Sequence, residues 1–150
     1  MKIVIQRVLK ASVTIKDVKV AAIEEGVLIL LGIVNEDTEE DINWLVRKIV
    51  NLRIFNDANN IMNKSIIDVD GNVIVVSQFT LHASTKKGSR PSYMKAAKAT
   101  LAIPLYEQFV VFLETALKKK VQTGQFGADM KVELLNDGPV TIIIDSKIKE

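Results

Sequence analysis

Eight consecutive residues, Val27-Leu28-Ile29-Leu30-Leu31-Gly32-Ile33-Val34, contain no polar side chain. The run is far shorter than the roughly 20 apolar residues that span a bilayer. It also lacks the polar alternation that would leave one face to water. It therefore predicts a strand covered on both faces, and a sheet with apolar layers on each side of it.

The flanking sequence supplies the rest of such a sheet. Ile3 to Val8 and Ala11 to Ile15 are β-branched and partly alternating, and Val18 to Ile23 pairs back through a Lys16-Asp17 turn. Asp37 and Glu40 have the spacing of a capping box. Ile42, Leu45, Val46, Ile49 and Leu52 then recur at helical period, which predicts a helix from about Thr38 to about Leu52. Asn56 to Asn60 reads as a loop, Asp68 to Gly71 as a turn, and Asn72 to Leu81 as a strand. A helical stretch begins near Tyr93. Pro104 lacks an N–H and is expected to start a second helix at its first turn. Met130 to Leu135 and Val140 to Ile144 read as strands separated by a turn at Asn136-Asp137-Gly138-Pro139. Strands and helices are partly segregated along the chain, so the expected class is α+β, with residues 1–150 forming a single domain.

Composition narrows the function classes. The formal charge is +2, from 20 basic and 18 acidic residues, too balanced to signal nucleic-acid binding by itself. A polyanion would have to be held by a local patch. There is no cysteine, which excludes disulfides, thiolate zinc sites and a cysteine nucleophile. The only histidine is His82, so a histidine-rich metal centre is excluded as well. No metal or cofactor is expected. Met1-Lys2 leads directly into Ile3-Val4-Ile5 without a signal-peptide apolar region, and the expectation is a soluble, cytoplasmic protein with no membrane partner.

Four segments could carry chemistry. Ser77-Gln78-Phe79-Thr80-Leu81 closes an apolar strand with polar residues. It is either an ordinary strand end or a reaction centre using Ser77, Thr80 or the local N–H groups. Lys86-Lys87-Gly88-Ser89-Arg90-Pro91 is a solvated basic loop or a phosphate grip. Gly124 to Met130 places Phe126 between glycines, as a buried anchor or as a platform for a base. Asn136 to Thr141 contains Gly138-Pro139. A cis bond there would set the two carbonyls side by side as a rigid wall.

Taken in order, these segments resemble the bacterial and eukaryotic D-aminoacyl-tRNA deacylases. The likeness runs nearly end to end. It includes Gln6-Arg7-Val8, Asn51-Leu52-Arg53-Ile54-Phe55, the Ser-Gln-Phe-Thr-Leu segment, Lys87-Gly88-x-Arg90-Pro91-Ser92, Gly127-Ala128-x-Met130-x-Val132 and Asn136-Asp137-Gly138-Pro139-Val140-Thr141. The resemblance implies a barrel-like sheet packed with two to three helices. It implies a homodimer whose active sites lie at the subunit interface, with the Ser77 to Leu81 segment from one subunit and a cis Gly138-Pro139 pair from the other. It implies a pocket for the 3′-terminal adenosine of an aminoacyl-tRNA and its esterified amino acid.

Within that frame each residue has an expected role. The Phe79 and Thr80 N–H groups form an oxyanion hole, because no base is paired with the Thr80 hydroxyl. Ser77 and Gln78 flank that centre. Gly138, Pro139, Val140 and Thr141 exclude L side chains, braced by Arg7 through the turn's carbonyls. Met130 closes the pocket, Phe126 meets the adenine, and Lys86, Lys87 and Arg90 contact acceptor-stem phosphates. His82 receives no role. The competing readings are a non-catalytic tRNA-binding module and a serine or threonine hydrolase of small esters.

Overall fold

A computed structural model describes residues 1–149. The long first strand, β1 (Lys2–Ile15), organises the molecule. Its neighbours β2 (Val18–Ile23) and β3 (Gly26–Gly32) lie along one edge of it, β3 on its first half and β2 on its second, both antiparallel. The hairpin into β2 turns at Lys16 and Asp17, whose φ values of 47° and 64° are those of a primed turn matching the strand twist. Further on, β6 (Asn72–Ser77) adds parallel to β3, and β7 (Gln122–Thr123) parallel to β6. The last strand, β8 (Lys131–Asp145), runs antiparallel along the other edge of β1 for almost its full length. The sheet curls into a nearly closed barrel. A small hairpin of β4 (Phe55–Asn56) and β5 (Met62–Lys64) stands apart.

The apolar run is sandwiched as its composition requires. Val27, Ile29 and Leu31 of β3, with Val73 and Val75 of β6, join the core beneath two helices. The intervening Leu28, Ile74 and Val76 face Val8, Val13 and Ile23 inside the barrel. The helices are α1 (Glu39–Asn51) and α2 (Ala99–Leu117). From α1, Ile42, Leu45, Val46 and Ile49 enter the core; from α2, Ala102, Tyr106, Phe109 and Leu113 do so. Tyr106 also donates its hydroxyl to the Val75 carbonyl at 2.8 Å, and burial raises its phenol pKa. By length and composition alone, α2 reaches the range of a membrane span. Its buried stripe is part of this core.

Several local expectations are corrected. The capping box uses Thr38 and Asp41: the Thr38 N–H donates to Asp41 Oδ2 at 2.8 Å. Asp37 is drawn instead to the terminal ammonium of Met1 and to the Val34 N–H. The β3 strand ends at Gly32, and Val34 makes only an isolated bridge to Ala96. No helix begins at Tyr93, where the chain is tied down by the Ala97 N–H donating to the Ile33 carbonyl at 2.9 Å. Pro104 lies within α2 instead of starting a helix. The carbonyl it deprives of a donor is that of Thr100, which is exposed to water like Pro104 itself, so the helix continues.

The strand expected over Asn72 to Leu81 stops at Ser77, and a 3-10 turn, Phe79–His82, follows. Finally, Asn136 to Pro139 does not separate two strands. It is a bulge within β8. Gln6 pairs with Thr141 and Val8 with Asn136, so two steps on β1 oppose five on β8 and three extra residues loop out. The pairing of β1 on both sides of the bulge keeps the strand continuous.

Candidate functional site

The 3-10 turn owes its place to Gly32. A Cβ there would lie 3.0 Å from the Gln78 carbonyl, the Leu81 Cβ and the His82 Cδ2, so only glycine lets the turn rest directly on the end of β3. The Gln78 N–H donates to the Leu31 carbonyl at 2.8 Å and holds the entry to the turn. The turn then closes on itself, with the Leu81 N–H on the Gln78 carbonyl and the Ala83 N–H on the Thr80 carbonyl. A helix start leaves its leading N–H groups without an internal acceptor. Here these are Phe79 and Thr80, and neither finds one among the described residues. They are adjacent donors at a half-exposed surface, the arrangement an oxyanion requires.

The side chains around them are placed as follows. Thr80 Oγ1 accepts from Gln78 Nε2 at 2.5 Å, and among the described residues no carboxylate or imidazole is hydrogen-bonded to it. Ser77 ends β6 opposite Leu31. Phe79 is 54% exposed and sits edge-on to Tyr93 at 5.1 Å, a partner that no sequence spacing indicated. His82 covers Gly32, with a buried Nε2 that has no partner among the described residues.

The loop after the turn is closed by Ser84 and Ser92, whose N–H and carbonyl groups exchange hydrogen bonds of 2.8 and 2.9 Å. It displays Lys86, Lys87 and Arg90, all exposed and without an ion-pair partner among the described residues.

The second set of residues surrounds the β8 bulge. Its Gly138-Pro139 peptide is cis. Arg7 is buried beneath the bulge, yet it does not reach the Gly138 or Pro139 carbonyls. Nε donates to the Asp137 carbonyl at 3.1 Å and Nη1 to the Ile54 carbonyl at 2.5 Å. Asn136 closes the neck, a role that its place in the motif did not reveal. Its Oδ1 accepts from the Val140 N–H at 2.9 Å, and its Nδ2 donates to Thr141 Oγ1 at 3.0 Å. Gly138 has φ +129°, a conformation open to glycine.

Phe126 is partly buried at the margin of the core, where its ring meets that of Tyr106 at 5.9 Å and 67°. Met130 packs over Gly124, where a Cβ would come within 2.3 Å of its sulfur.

One chain does not bring these two sets together. Gly32, beneath the 3-10 turn, pairs with Lys2, and Val27 pairs with Arg7, beneath the bulge. Five residues of strand separate them, roughly 16 Å at about 3.3 Å per residue.

Comparison with known proteins gives a consistent family. The family model for D-Tyr-tRNA(Tyr) deacylase matches residues 4–145. A D-aminoacyl-tRNA deacylase of Flavobacterium psychrophilum is 67% identical over 150 residues, covering all of both chains. One from Bacteroides fragilis is 65% identical, again over the whole of both chains. Among solved structures, the c-Myc DNA Unwinding Element Binding Protein superposes with a TM-score of 0.92 at 40% identity, covering 97% of this chain and 98% of its own. A probable eukaryotic D-amino acid tRNA deacylase shares the fold with a TM-score of 0.83 at 16% identity. A chain matched over nearly its whole length by that family model, and by relatives of this identity, belongs to the D-Tyr-tRNA(Tyr) deacylase family.

Proposed function

We propose that the protein hydrolyses the ester bond of D-aminoacyl-tRNA in the cytoplasm, releasing the free D-amino acid and tRNA. The observation that carries this reading is the pair of unbonded N–H groups at Phe79 and Thr80. Water adds to the ester carbonyl, the carbonyl oxygen becomes an oxyanion held by those two donors, and the C–O bond to the ribose breaks as the ribose oxygen takes a proton. The terminal 2′-hydroxyl positions or activates the water. A side-chain nucleophile is unnecessary, which agrees with a Thr80 hydroxyl bonded to an amide and not to a base.

Chiral selection works by exclusion. A pocket that admits every D side chain cannot read each one, but a rigid main-chain wall can occupy the space an L side chain needs. The Gly138 and Pro139 carbonyls form that wall, with Val140 and Thr141 behind it. The roughly 16 Å between bulge and turn along the sheet supports a site completed by a second copy, each copy's bulge meeting the other's turn. Glycine offers nothing to exclude, so glycyl-tRNA(Ala) is also a substrate. Met130 and Phe126 border the amino acid and the adenine, and Lys86, Lys87 and Arg90 contact acceptor-stem phosphates. No cofactor takes part.

The test is one assay with three substrates: D-Tyr-tRNA, L-Tyr-tRNA and a small D-tyrosyl ester. Release from the first alone is expected. Release from none would leave a tRNA-binding module, and release from the small ester would indicate a general esterase.

A further inference from the structure

Charge on α1 is divided along its length. Glu39, Glu40 and Asp41 occupy the first turn, while Arg47 and Lys48 lie near the end, both exposed and without an ion-pair partner among the described residues. The chain leaves the helix through Leu52 to Arg53, and Trp44, Arg47, Lys48, Asn51, Leu52 and Arg53 line one shallow groove. Trp44 is the only tryptophan in the chain. Its ring carries two ammonium groups, those of Lys48 and Lys149, each 5.4 Å from the centroid. Arg53 is held by its Nε on the Asn63 carbonyl at 2.9 Å, which fixes the guanidinium at the groove's end. The result is an ordered array of cations on a chain whose net charge is only +2. A helix dipole rewards basic residues in its last turn. It does not account for Arg53 or Lys149, which lie beyond α1.

The groove is tied to the base of the bulge through the chain that leaves Arg53. The Ile54 carbonyl, one residue past Arg53, accepts from the same Arg7 side chain that holds Asp137.

We propose that the Trp44–Arg53 groove is a second tRNA-binding surface, where Arg47, Lys48, Arg53 and Lys149 contact backbone phosphates of the RNA whose 3′ end lies in the pocket. The inference rests on tRNA being this chain's partner, and not on the ester chemistry. Phosphates suit the groove because Arg47, Lys48 and Arg53 all line it. Lys48 and Lys149 occupy the Trp44 ring, so contact is to the backbone and insensitive to base sequence.

The test compares wild type, Arg47→Gln/Lys48→Gln, the conservative Arg47→Lys, and Lys16→Gln/Lys19→Gln, which removes the same charge from the β1–β2 hairpin. Binding of uncharged tRNA is measured across a salt series, and KM and kcat on D-Tyr-tRNA alongside. For Arg47→Gln/Lys48→Gln, affinity at low salt should fall on the order of 10-fold or more, and the slope of log affinity on log salt should shrink by about 2. The kinetic loss should appear in KM. Arg47→Lys should bind within about threefold of wild type, as a retained point charge requires. The inference is overturned if Arg47→Gln/Lys48→Gln behaves like the hairpin pair in affinity and slope. A wild type that binds tRNA in this way but releases no D-Tyr would sink the hydrolase reading and leave the groove standing.

Discussion

Arg7 and Asp137 are joined twice: the Arg7 Nε lies 3.1 Å from both the main-chain oxygen and Oδ2 of Asp137. The guanidinium is buried and its Nη1 is committed to Ile54, so a single side chain locks the base of the bulge to the end of the α1 connection. Its planar fork makes these contacts in fixed relation, which an ammonium cannot reproduce.

Arg7→Lys is therefore expected to leave one of the two carbonyls without its donor. Stability should fall by about 1–3 kcal/mol, and the D-over-L preference should drop because the bulge is no longer held. Urea unfolding and parallel deacylation of D- and L-Tyr-tRNA check both. Wild-type selectivity in the variant would show that Asn136 alone holds the bulge.

Removing the Thr80 hydroxyl should matter little, since the proposed chemistry uses its N–H. Thr80→Ala is expected to keep turnover within about tenfold in single-turnover assays, whereas loss of a nucleophile would abolish it. Phe79→Pro deletes a donor instead. Gln78 has ψ 78°, outside the helical region, so it accepts a following proline. Relative to Phe79→Ala, kcat should fall roughly 10²- to 10³-fold, as for loss of one oxyanion donor.

Gly138→Ala forces a side chain onto φ +129° and sets its Cβ 2.8 Å from Val140 Cγ2 and 3.1 Å from the Val140 nitrogen. A cost of about 1–3 kcal/mol is expected, visible as a lower urea midpoint. The bulge must shift to relieve it, so D/L discrimination should weaken as well. An unchanged midpoint would mean that the bulge is pliable.

Acid stability should report on Asp41. Burial pushes its carboxyl pKa up, but hydrogen bonds from Lys147, Ser146 and the Thr38 N–H outweigh this and hold it at about 2, below the ordinary 3.8. A carboxylate whose folded pKa is depressed stabilises the protein above its unfolded pKa and loses that contribution as pH falls toward the folded value. Wild type should therefore lose up to about 2 kcal/mol between about pH 4 and pH 2. Asp41→Asn should be less stable at neutral pH and flatter across that window, measured by urea unfolding at stepped pH.

Much of the architecture is legible in the residues because the signals are local. The unbroken Val27 to Val34 run required a doubly covered strand, and β3 has core on each face. The period from Ile42 to Ile49 required an amphipathic helix. Ser77 to Leu81 and Asn136 to Thr141 stood out as polar interruptions of apolar strands. What those interruptions become is not local. The first leaves the sheet as a 3-10 turn because Gly32, 45 residues or more away in sequence, has no side chain to keep it off. The second is a bulge because β1 pairs with β8 on both sides of it, and neither pairing is written in the four residues themselves.

The amino acids alone determined the apolar layers, the helix faces and the chemical character of each segment, since these follow from side-chain type and period. Only the tertiary structure decided that Arg7 grips Asp137 and not the glycine and proline beyond it, and that turn and bulge stand near opposite ends of β3. Those outcomes depend on pairing register and on contacts between residues far apart in the chain. Such free energies belong to the folded whole, and no short window of sequence contains them.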